Sequence, residues 1–126
     1  GSLDVESGRL EFVNAGHCYP IVLRSDGSVE RLVEGAAVVG LMSSMDIASG
    51  KTTLDKGDML VAYTDGLSET ASPEGEEFGF EKIEALVREA EGTPLDLSRR
   101  TYRRVSSYRD TTLLDDDLTF LAARPA

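Results

Sequence analysis

A short apolar run that stops at an Asp-Gly pair constrains the fold of this chain most strongly. The run, Met59–Tyr63, is rich in strand-forming residues and is typical of a buried strand. It is followed at once by Thr64, Asp65 and Gly66. Because glycine lets the backbone turn sharply, we expect the Asp65 carboxylate to be fixed at the strand end and to point out of the sheet. That placement suits a metal ligand, although an Asp-Gly pair is also typical of an ordinary turn.

The segments before this run predict further strands. Strands are expected at 9–15, 21–23 and 51–54, and the Asp26-Gly27 pair between two apolar runs predicts a tight hairpin. Residues 34–50 are predicted to be mostly loop, with a short extended piece at 37–41, and residues 68–77 have the composition of a loop.

Two helices are predicted in the second half of the chain. Apolar residues recur at helical spacing from Phe80, and Gly92 suits a C-terminal cap. Thr93, Pro94 and Asp96 then form an N-terminal capping pattern for a second helix. One side of that helix carries Leu97, Thr101, Val105 and Tyr108, and the other carries Arg99, Arg100, Arg103 and Arg104. With a closing strand at 118–122 after six or seven earlier strands, the fold class is α+β.

Composition excludes several classes of function. With 40% hydrophobic residues among 126, the chain is globular, and its 23 acidic and 13 basic residues give a net charge of −10. That charge argues against a nucleic-acid surface, and the four helical arginines are more typical of a solvated face. No apolar run approaches the roughly 20 residues of a membrane span, so we expect no membrane contact. The single cysteine, Cys18, fits a reducing compartment such as the cytoplasm.

Two aspartates stand at strand ends where they could hold a cation. Asp65 follows the central strand and Asp116 precedes the closing strand. If those two strands pair antiparallel, the end of one lies beside the start of the other, which would bring the two carboxylates together. Such a pair suits Mg²⁺ or Mn²⁺, which prefer oxygen ligands. The alternative is that the acidic run at 115–117 is only a solvated turn.

Neither the histidine nor the cysteine forms a recognisable site. His17 is the single histidine, so a zinc site with two imidazoles is excluded, and no Gly-x-Ser-x-Gly motif supplies a nucleophile for a triad. We interpret His17 as a residue that packs or forms hydrogen bonds at a strand end, and Cys18 as a small buried apolar residue.

These segments, taken in order, resemble the PPM superfamily of metal-dependent protein serine/threonine phosphatases. The matching segments are 3–17, 20–30, 54–70, 75–79 and 115–121, and they contain Asn-Ala-Gly-His, Tyr-Thr-Asp-Gly and Asp-Asp-x-Thr in that order. The similarity is closer to the bacterial branch, which includes the sporulation phosphatase SpoIIE and the RsbU-type regulators of sigma factors.

The resemblance implies an αββα sandwich with a metal centre at one edge of its sheets. It implies that Asp65, in Thr-Asp-Gly, and Asp116, in Asp-Asp-x-Thr, are metal ligands. Gly66 would lie just behind these ligands, and Asp117 and Asp115 would lie there or face solvent. No position matches a general acid or a substrate-binding residue, so these roles are left unassigned.

The resemblance also implies a reaction and a substrate class. A water activated by two Mn²⁺ or Mg²⁺ ions would remove phosphate from phosphoserine or phosphothreonine on a bacterial regulator, such as an anti-sigma-factor antagonist or STAS-like protein. The alternative function is a catalytically silent protein-interaction module with the same fold.

The family's N-terminal half, with its metal-bridging aspartate, has no counterpart in this sequence. Residues 1–126 therefore resemble the C-terminal part of one phosphatase domain, and Gly1-Ser2 is typical of a tag remnant. We expect such a chain to bind at most one ion weakly and to be inactive alone. Exposed sheet edges and an uncovered apolar face would favour a homodimer.

Overall fold

A computed structural model describes residues 1–36, 38, 46–109 and 117–125 of the chain. Eight short strands come first: β1 (Ser2–Leu3), β2 (Arg9–Phe12), β3 (Asn14–Ala15), β4 (Ile21–Leu23), β5 (Val29–Arg31), β6 (Gly35–Ala36), β7 (Gly50–Thr53) and β8 (Met59–Tyr63). Three helices follow, α1 (Asp65–Ser68), α2 (Gly79–Arg88) and α3 (Pro94–Arg109), and strand β9 (Phe120–Ala123) closes the fold. This order confirms the α+β class.

The described strands form two antiparallel sheets and one small parallel pair. One sheet has the order β1-β2-β7, the larger one has the order β5-β4-β8-β9, and β3 pairs with β6. The last strand, β9, pairs antiparallel with β8, as the sequence predicts. The closing strand is thus a direct neighbour of the strand that ends at Asp65.

The larger sheet is covered on both faces, which explains why β4 is buried along its whole length. Ile21 and Leu23 face α2 and α3 and belong to the main core, whereas Val22 faces the β1-β2-β7 sheet. The main core also contains Met59, Val61, Tyr63, Leu67, Phe78, Ile83, Leu86, Val87, Leu97 and Val105. The smaller core contains Leu10, Phe12, Leu32 and Leu54. The layers therefore run helices, sheet, sheet.

Most predicted strands are confirmed, but one of them is split into two strands. The hairpin at Asp26-Gly27 forms between β4 and β5, and Gly27 adopts the positive φ of 84° that this turn requires. The predicted strand at 9–15 is divided at Val13: its first part pairs with β7, and its second part pairs in parallel with β6. Of the extended piece expected at 37–41, only Val38 lies among the described residues.

The two predicted helices are confirmed, with one difference at the end of α2, and the structure adds a third, short helix. Thr93 and Asp96 form the predicted capping box, since each backbone N–H donates to the other side chain, at 2.9 and 3.2 Å. Gly92 is not the cap of α2, because that helix ends at Arg88 and Glu89 caps it. The positive φ of Gly92, 86°, instead lets the chain turn into α3. Helix α1, at 65–68, was not predicted.

The outer face of the β1-β2-β7 sheet is charged. Arg9, Glu11 and Lys51 point outwards with more than half of each side chain exposed, and Lys51 lies 3.2 Å from Glu11. Leu10 and Phe12 point inwards. The expectation of an uncovered apolar face is therefore wrong for this sheet, because its alternating residues are apolar only towards the core.

The start of β8 is fixed by a buried carboxylate. Asp58 is 2% exposed and accepts hydrogen bonds from the Arg24 guanidinium, at 2.6 Å, and from the backbone N–H groups of Ser25 and Asp55, at 2.9 and 3.1 Å. Burial alone would raise the pKa of Asp58, but these hydrogen bonds lower it overall. The β4–β5 hairpin is thus tied to the turn before β8.

The chain has no membrane-spanning candidate within the ranges given above, where every helix is too short or too polar to cross a bilayer.

Candidate metal centre

The end of β8 presents one exposed carboxylate on a fixed backbone. Asp65 begins α1, and its main-chain oxygen accepts hydrogen bonds from the Glu69 N–H at 2.8 Å and the Ser68 hydroxyl at 3.1 Å. Its carboxylate Oδ1 accepts the N–H of Gly66 at 3.0 Å. The carboxylate Oδ2 accepts no hydrogen bond from a described residue. Asp65 therefore offers oxygen to solvent or to a cation from a rigid position.

Thr64 connects the end of β8 to the segment that leads into β9. Its hydroxyl donates to the main-chain oxygen of Asp117 at 2.8 Å and accepts the N–H of Thr119 at 2.9 Å. Its own N–H donates to the Thr119 oxygen at 3.1 Å. Because the hydroxyl is used in this way, Thr64 does not cap α1 with its side chain. Residues 117–119 of the Asp-Asp-x-Thr motif are thereby held against the Thr-Asp-Gly motif.

Gly66 is needed here for space rather than for a turn. A Cβ on Gly66 would lie 2.6 Å from the main-chain oxygen of Asp117, a distance that side chains essentially never allow. Gly66 lies within α1 and is not one of the glycines with positive φ. The sequence argument that this glycine permits a sharp turn is therefore wrong. Its lack of a side chain lets two chain segments touch.

The structure brings Asp65, Gly66 and Asp117 together and leaves the second predicted ligand untested. Asp116, like Asp115, lies outside the described residues. Within the described ranges, no group of three or more His, Cys, Asp or Glu side chains is placed to hold a metal. One carboxylate oxygen of Asp65 is free of hydrogen bonds from described residues, and it lies beside the main chain of Asp117, the residue that follows Asp116. This arrangement fits part of the ligand set of a hard cation. It does not form a complete site by itself.

The loop that contains His17 lies beside α1. The Asn14 amide fixes this loop by two hydrogen bonds of 2.9 Å to the backbone N–H and oxygen of His17. The His17 ring Nδ1 lies 2.9 Å from the Cys18 oxygen, which confirms a hydrogen-bonding role at a strand end. Cys18 is half-buried rather than buried, and its sulfur lies 4.0 Å from the Ser68 hydroxyl. A cavity of about 490 Å³ opens next to this loop.

Tyr63, the last residue of β8, is a packing residue. It is 3% exposed and belongs to the main core. Burial raises the pKa of Tyr63 to about 12, so its hydroxyl stays protonated at neutral pH. Tyr63 therefore supports the strand end below Asp65 as a neutral core residue.

Two residues that shape the site were missed by the sequence argument. Thr64 and Thr119 hold the two motifs together, and no structural role was predicted for either residue. The available signal was that each acidic motif carries a threonine, before Asp65 in one case and after Asp117 in the other. Hydroxyl groups at paired strand ends commonly satisfy backbone groups that the ladder leaves unpaired.

Comparison with known proteins gives consistent matches. The family model of Stage II sporulation protein E (SpoIIE) matches residues 1–126. Protein IcfG of Synechocystis sp. is 28% identical over 122 residues, which cover 97% of this chain and 19% of IcfG. The SiaA-PP2C domain of Pseudomonas aeruginosa superposes with a TM-score of 0.79 at 23% identity, over 94% of this chain and 47% of that one.

A second solved structure shows the same fold. The phosphatase domain of the cell fate determinant SpoIIE from Bacillus subtilis, presoaked with Mn, matches with a TM-score of 0.76 at 18% identity. The match covers 98% of this chain and 53% of that one. The chain thus spans about half the length of these two phosphatase structures and about a fifth of IcfG. It has the PP2C-type fold, and it belongs to the Stage II sporulation protein E (SpoIIE) family.

Proposed function

We propose that this chain supplies one part of the catalytic centre of a metal-dependent protein serine/threonine phosphatase. Asp65 and Asp116 would be its ligands for Mn²⁺ or Mg²⁺. Membership of the SpoIIE family and the PP2C-type fold support the reaction class. The B. subtilis structure presoaked with Mn supports the choice of metal.

The observation that carries this proposal is the contact between Gly66 and the main chain of Asp117. It places Gly66, which follows Asp65, against Asp117, which follows Asp116. A rigid carboxylate and an adjacent acidic segment at one sheet edge are the arrangement that a hard cation requires. The Thr64 hydroxyl, which joins both segments, would hold the ligands at a constant separation.

Bound divalent cations would supply Lewis-acid stabilisation of the negative charge that develops on phosphoryl oxygens. The chain's own residues would do the positioning. Asp65 would offer its free carboxylate oxygen, and Gly66 would keep the neighbouring backbone close. Thr64 and Thr119 would prevent the β8 and β9 ends from separating when an ion binds.

The proposed substrate is a phosphorylated serine or threonine on a bacterial cytoplasmic regulator. An anti-sigma-factor antagonist or STAS-like protein is the proposed class, which rests on the similarity of the motifs to the RsbU-type branch. The described residues do not identify a substrate-binding side chain.

We further propose that residues 1–126 are the C-terminal part of such a domain and bind no more than one ion weakly. Two carboxylates give a hard cation only two protein ligands, so solvent would fill most of its coordination sphere. We therefore expect the chain alone not to hydrolyse a phosphoserine peptide. Steady phosphate release by the purified 126-residue chain would contradict this part of the proposal.

Calorimetric titration with Mn²⁺ tests the metal site. The unchanged chain should bind one ion weakly, and Asp65→Asn should weaken binding by about tenfold or more. Glu91→Gln is the matched control, since it removes the same charge from an exposed position between α2 and α3. An equal loss of Mn²⁺ affinity in both variants would show that Mn²⁺ binds only through general surface charge.

Activity is best tested in a longer version of the protein in which a segment with a Gly-Asp metal motif precedes this chain. It should release phosphate from a phosphoserine peptide in Mn²⁺, and Asp65→Asn should reduce kcat by about a hundredfold or more. A variant as active as the parent protein would refute the assigned role of Asp65.

The second candidate is a catalytically silent interaction module. Such a module would keep the PP2C-type fold without requiring Asp65 and Asp116 to hold a cation. An upstream sequence that lacks any Gly-Asp metal motif, together with no Mn²⁺ binding, would support this alternative over the enzyme.

A further inference from the structure

Positive charge is concentrated on one helix of this acidic chain. Helix α3 carries five of the 13 basic residues and only one of the 23 acidic residues. Four of those arginines, Arg99, Arg100, Arg103 and Arg104, lie on its outer side and are called the arginine face here. Arg100 is half-buried and the other three are exposed. A basic surface therefore stands on a molecule that is otherwise strongly negative.

No carboxylate among the described residues lies within ion-pair distance of the arginine face, although Asp96 is near enough to Arg99 and Arg100 to interact with them electrostatically. Its four members are absent from every ion pair found among the described residues. In contrast, Arg9, Arg24, Arg31 and Arg88 each lie within 4.0 Å of a carboxylate. These arginines before α3 are thus paired within the fold. The arginine face forms no such ion pair, although Arg100 donates a hydrogen bond to the Glu89 main-chain oxygen.

A groove with an apolar wall adjoins the arginine face. A cavity of about 320 Å³ lies between α2 and α3, where Phe78, Leu86 and Tyr108 line it together with Lys82. A second cavity, of about 500 Å³, is lined by all four arginines of the face together with Asp96. The two cavities share Arg104 and Ser107. The surface therefore combines cationic groups with a place for an apolar side chain.

We propose that this surface binds a short acidic segment of a partner protein. Carboxylates of that segment would pair with the guanidinium groups, which can hold a carboxylate through two parallel hydrogen bonds. One apolar side chain of the segment would enter the groove between α2 and α3. Arginine and tyrosine are common anchors of protein interfaces, and Tyr102, on α3, is 69% exposed.

The charge distribution favours a short peptide segment over a nucleic acid or a membrane. Charges in solution interact over a Debye length of about 8 Å at physiological salt. A long polyanion or an anionic bilayer would extend beyond the arginine face and meet the acidic remainder of the molecule. A short segment would stay within reach of the four arginines. This proposal does not depend on the metal centre, because neither cavity includes Asp65.

Fluorescence anisotropy with a labelled peptide tests the proposal on the purified chain. The probe is a 12-residue peptide of Glu and Asp with two central Leu residues. The double variant Arg103→Glu/Arg104→Glu should weaken binding by about tenfold or more. The control Arg9→Glu/Lys51→Glu makes the same charge change on the outer β1-β2-β7 face and should bind the probe as the parent chain does.

Two further measurements sharpen the test. A probe with both Leu residues replaced by Ser should bind several-fold more weakly, since it cannot fill the groove. Circular dichroism should show the same thermal unfolding for the Arg103→Glu/Arg104→Glu variant as for the parent, because both side chains are exposed.

Several results would overturn the proposal. The proposal would be wrong if the peptide showed no saturable binding at millimolar concentration. It would also be wrong if both double variants lost affinity for the peptide equally, or if the Ser probe bound as tightly as the Leu probe. Tighter binding of single-stranded RNA or of anionic vesicles than of the peptide would also overturn it.

Discussion

At the residue scale, a missing side chain and a hydroxyl group shape the candidate metal centre. Gly66 lies against the main chain of Asp117, and Thr64 forms hydrogen bonds to both Asp117 and Thr119. Neither residue is a predicted ligand. Together they fix the position of Asp65 relative to the segment that leads into β9. A substitution of either residue should therefore disturb the site without removing a carboxylate.

Replacement of Gly66 by alanine should destabilise the protein through a clash. The added Cβ would lie 2.6 Å from the Asp117 oxygen, and relief of such overpacking costs about 1–3 kcal/mol. Gly75→Ala is the control, since it has open space and only the strain of its φ of 84°. Urea unfolding should show the larger loss for Gly66→Ala. A loss no greater than that of Gly75→Ala would contradict the steric role.

Replacement of Thr64 by valine should also be costly, because it leaves the Thr119 N–H without its acceptor. Since both Thr64 hydrogen bonds are exposed and water can replace them in part, we expect a loss of about 0.5–1.5 kcal/mol in the free energy of unfolding. Thr53→Val is the matched control on exposed β7, where the Thr53 hydroxyl forms no hydrogen bond to a described residue. Equal unfolding free energies for the two variants would argue against the bridging role of Thr64.

At the element scale, the β4–β5 hairpin is joined to β8 by the buried Asp58 carboxylate and Arg24. The pKa of Asp58 is lower in the folded protein than its ordinary value of 3.8. The folded state therefore favours the ionised form, and this contribution to stability is present at neutral pH. It should be lost as the pH falls below about 4 and through the folded pKa.

Asp58→Asn tests this linkage. The variant should be less stable than the parent at pH 7, and the difference between them should shrink as the pH is lowered towards 3. Asp55→Asn is the control, because the Asp55 side chain takes no part in the network, which uses only its backbone N–H. Thermal unfolding at several pH values provides the measurement. A difference that stays constant with pH would contradict the assignment to Asp58.

The elements also show which parts of the fold could be predicted. The capping box of Thr93 and Asp96 and the hairpin at Asp26-Gly27 were predictable because their signals are local. The parallel pairing of β3 with β6 depends on segments about 20 residues apart, and no local pattern marks it. Helix α1 has only four residues, too few to show helical periodicity.

The location of the candidate site was predictable because it depends on a single assumption, the antiparallel pairing of β8 with β9. Antiparallel pairing of β8 with β9 brings Asp65 near the Asp-Asp-x-Thr segment, and the structure confirms that pairing. The roles of Thr64 and Gly66 were not predictable, since they depend on interatomic distances that spacing along the chain does not give.

At the scale of the whole molecule, two sheets end in strands that lack a neighbour on one side among the described residues. Strands β5 and β9 border the larger sheet, and β1 and β7 border the smaller one. Such edges present unpaired backbone groups that can pair with another chain. Leu121, in β9, is 50% exposed at one of these edges.

We therefore predict that the isolated chain forms a homodimer through an edge strand. Light scattering after size exclusion should give twice the 13.6 kDa of one chain at high micromolar concentration. Leu121→Lys, which places a charge on the β9 edge, should shift the protein to the monomer. A monomer at all concentrations for the parent chain would contradict the prediction.

The central claim is that a divalent cation binds where the β8 end meets the start of β9. Mn²⁺ broadens the NMR signals of nearby amides, so titration of the ¹⁵N-labelled chain locates the ion directly. The signals of Asp65, Gly66 and Asp117 should broaden first, the signal of Gly27 at the hairpin tip should stay sharp, and Asp65→Asn should abolish the selective effect. Broadening that begins at the acidic residues of 74–77, or that is uniform along the chain, would contradict the claim.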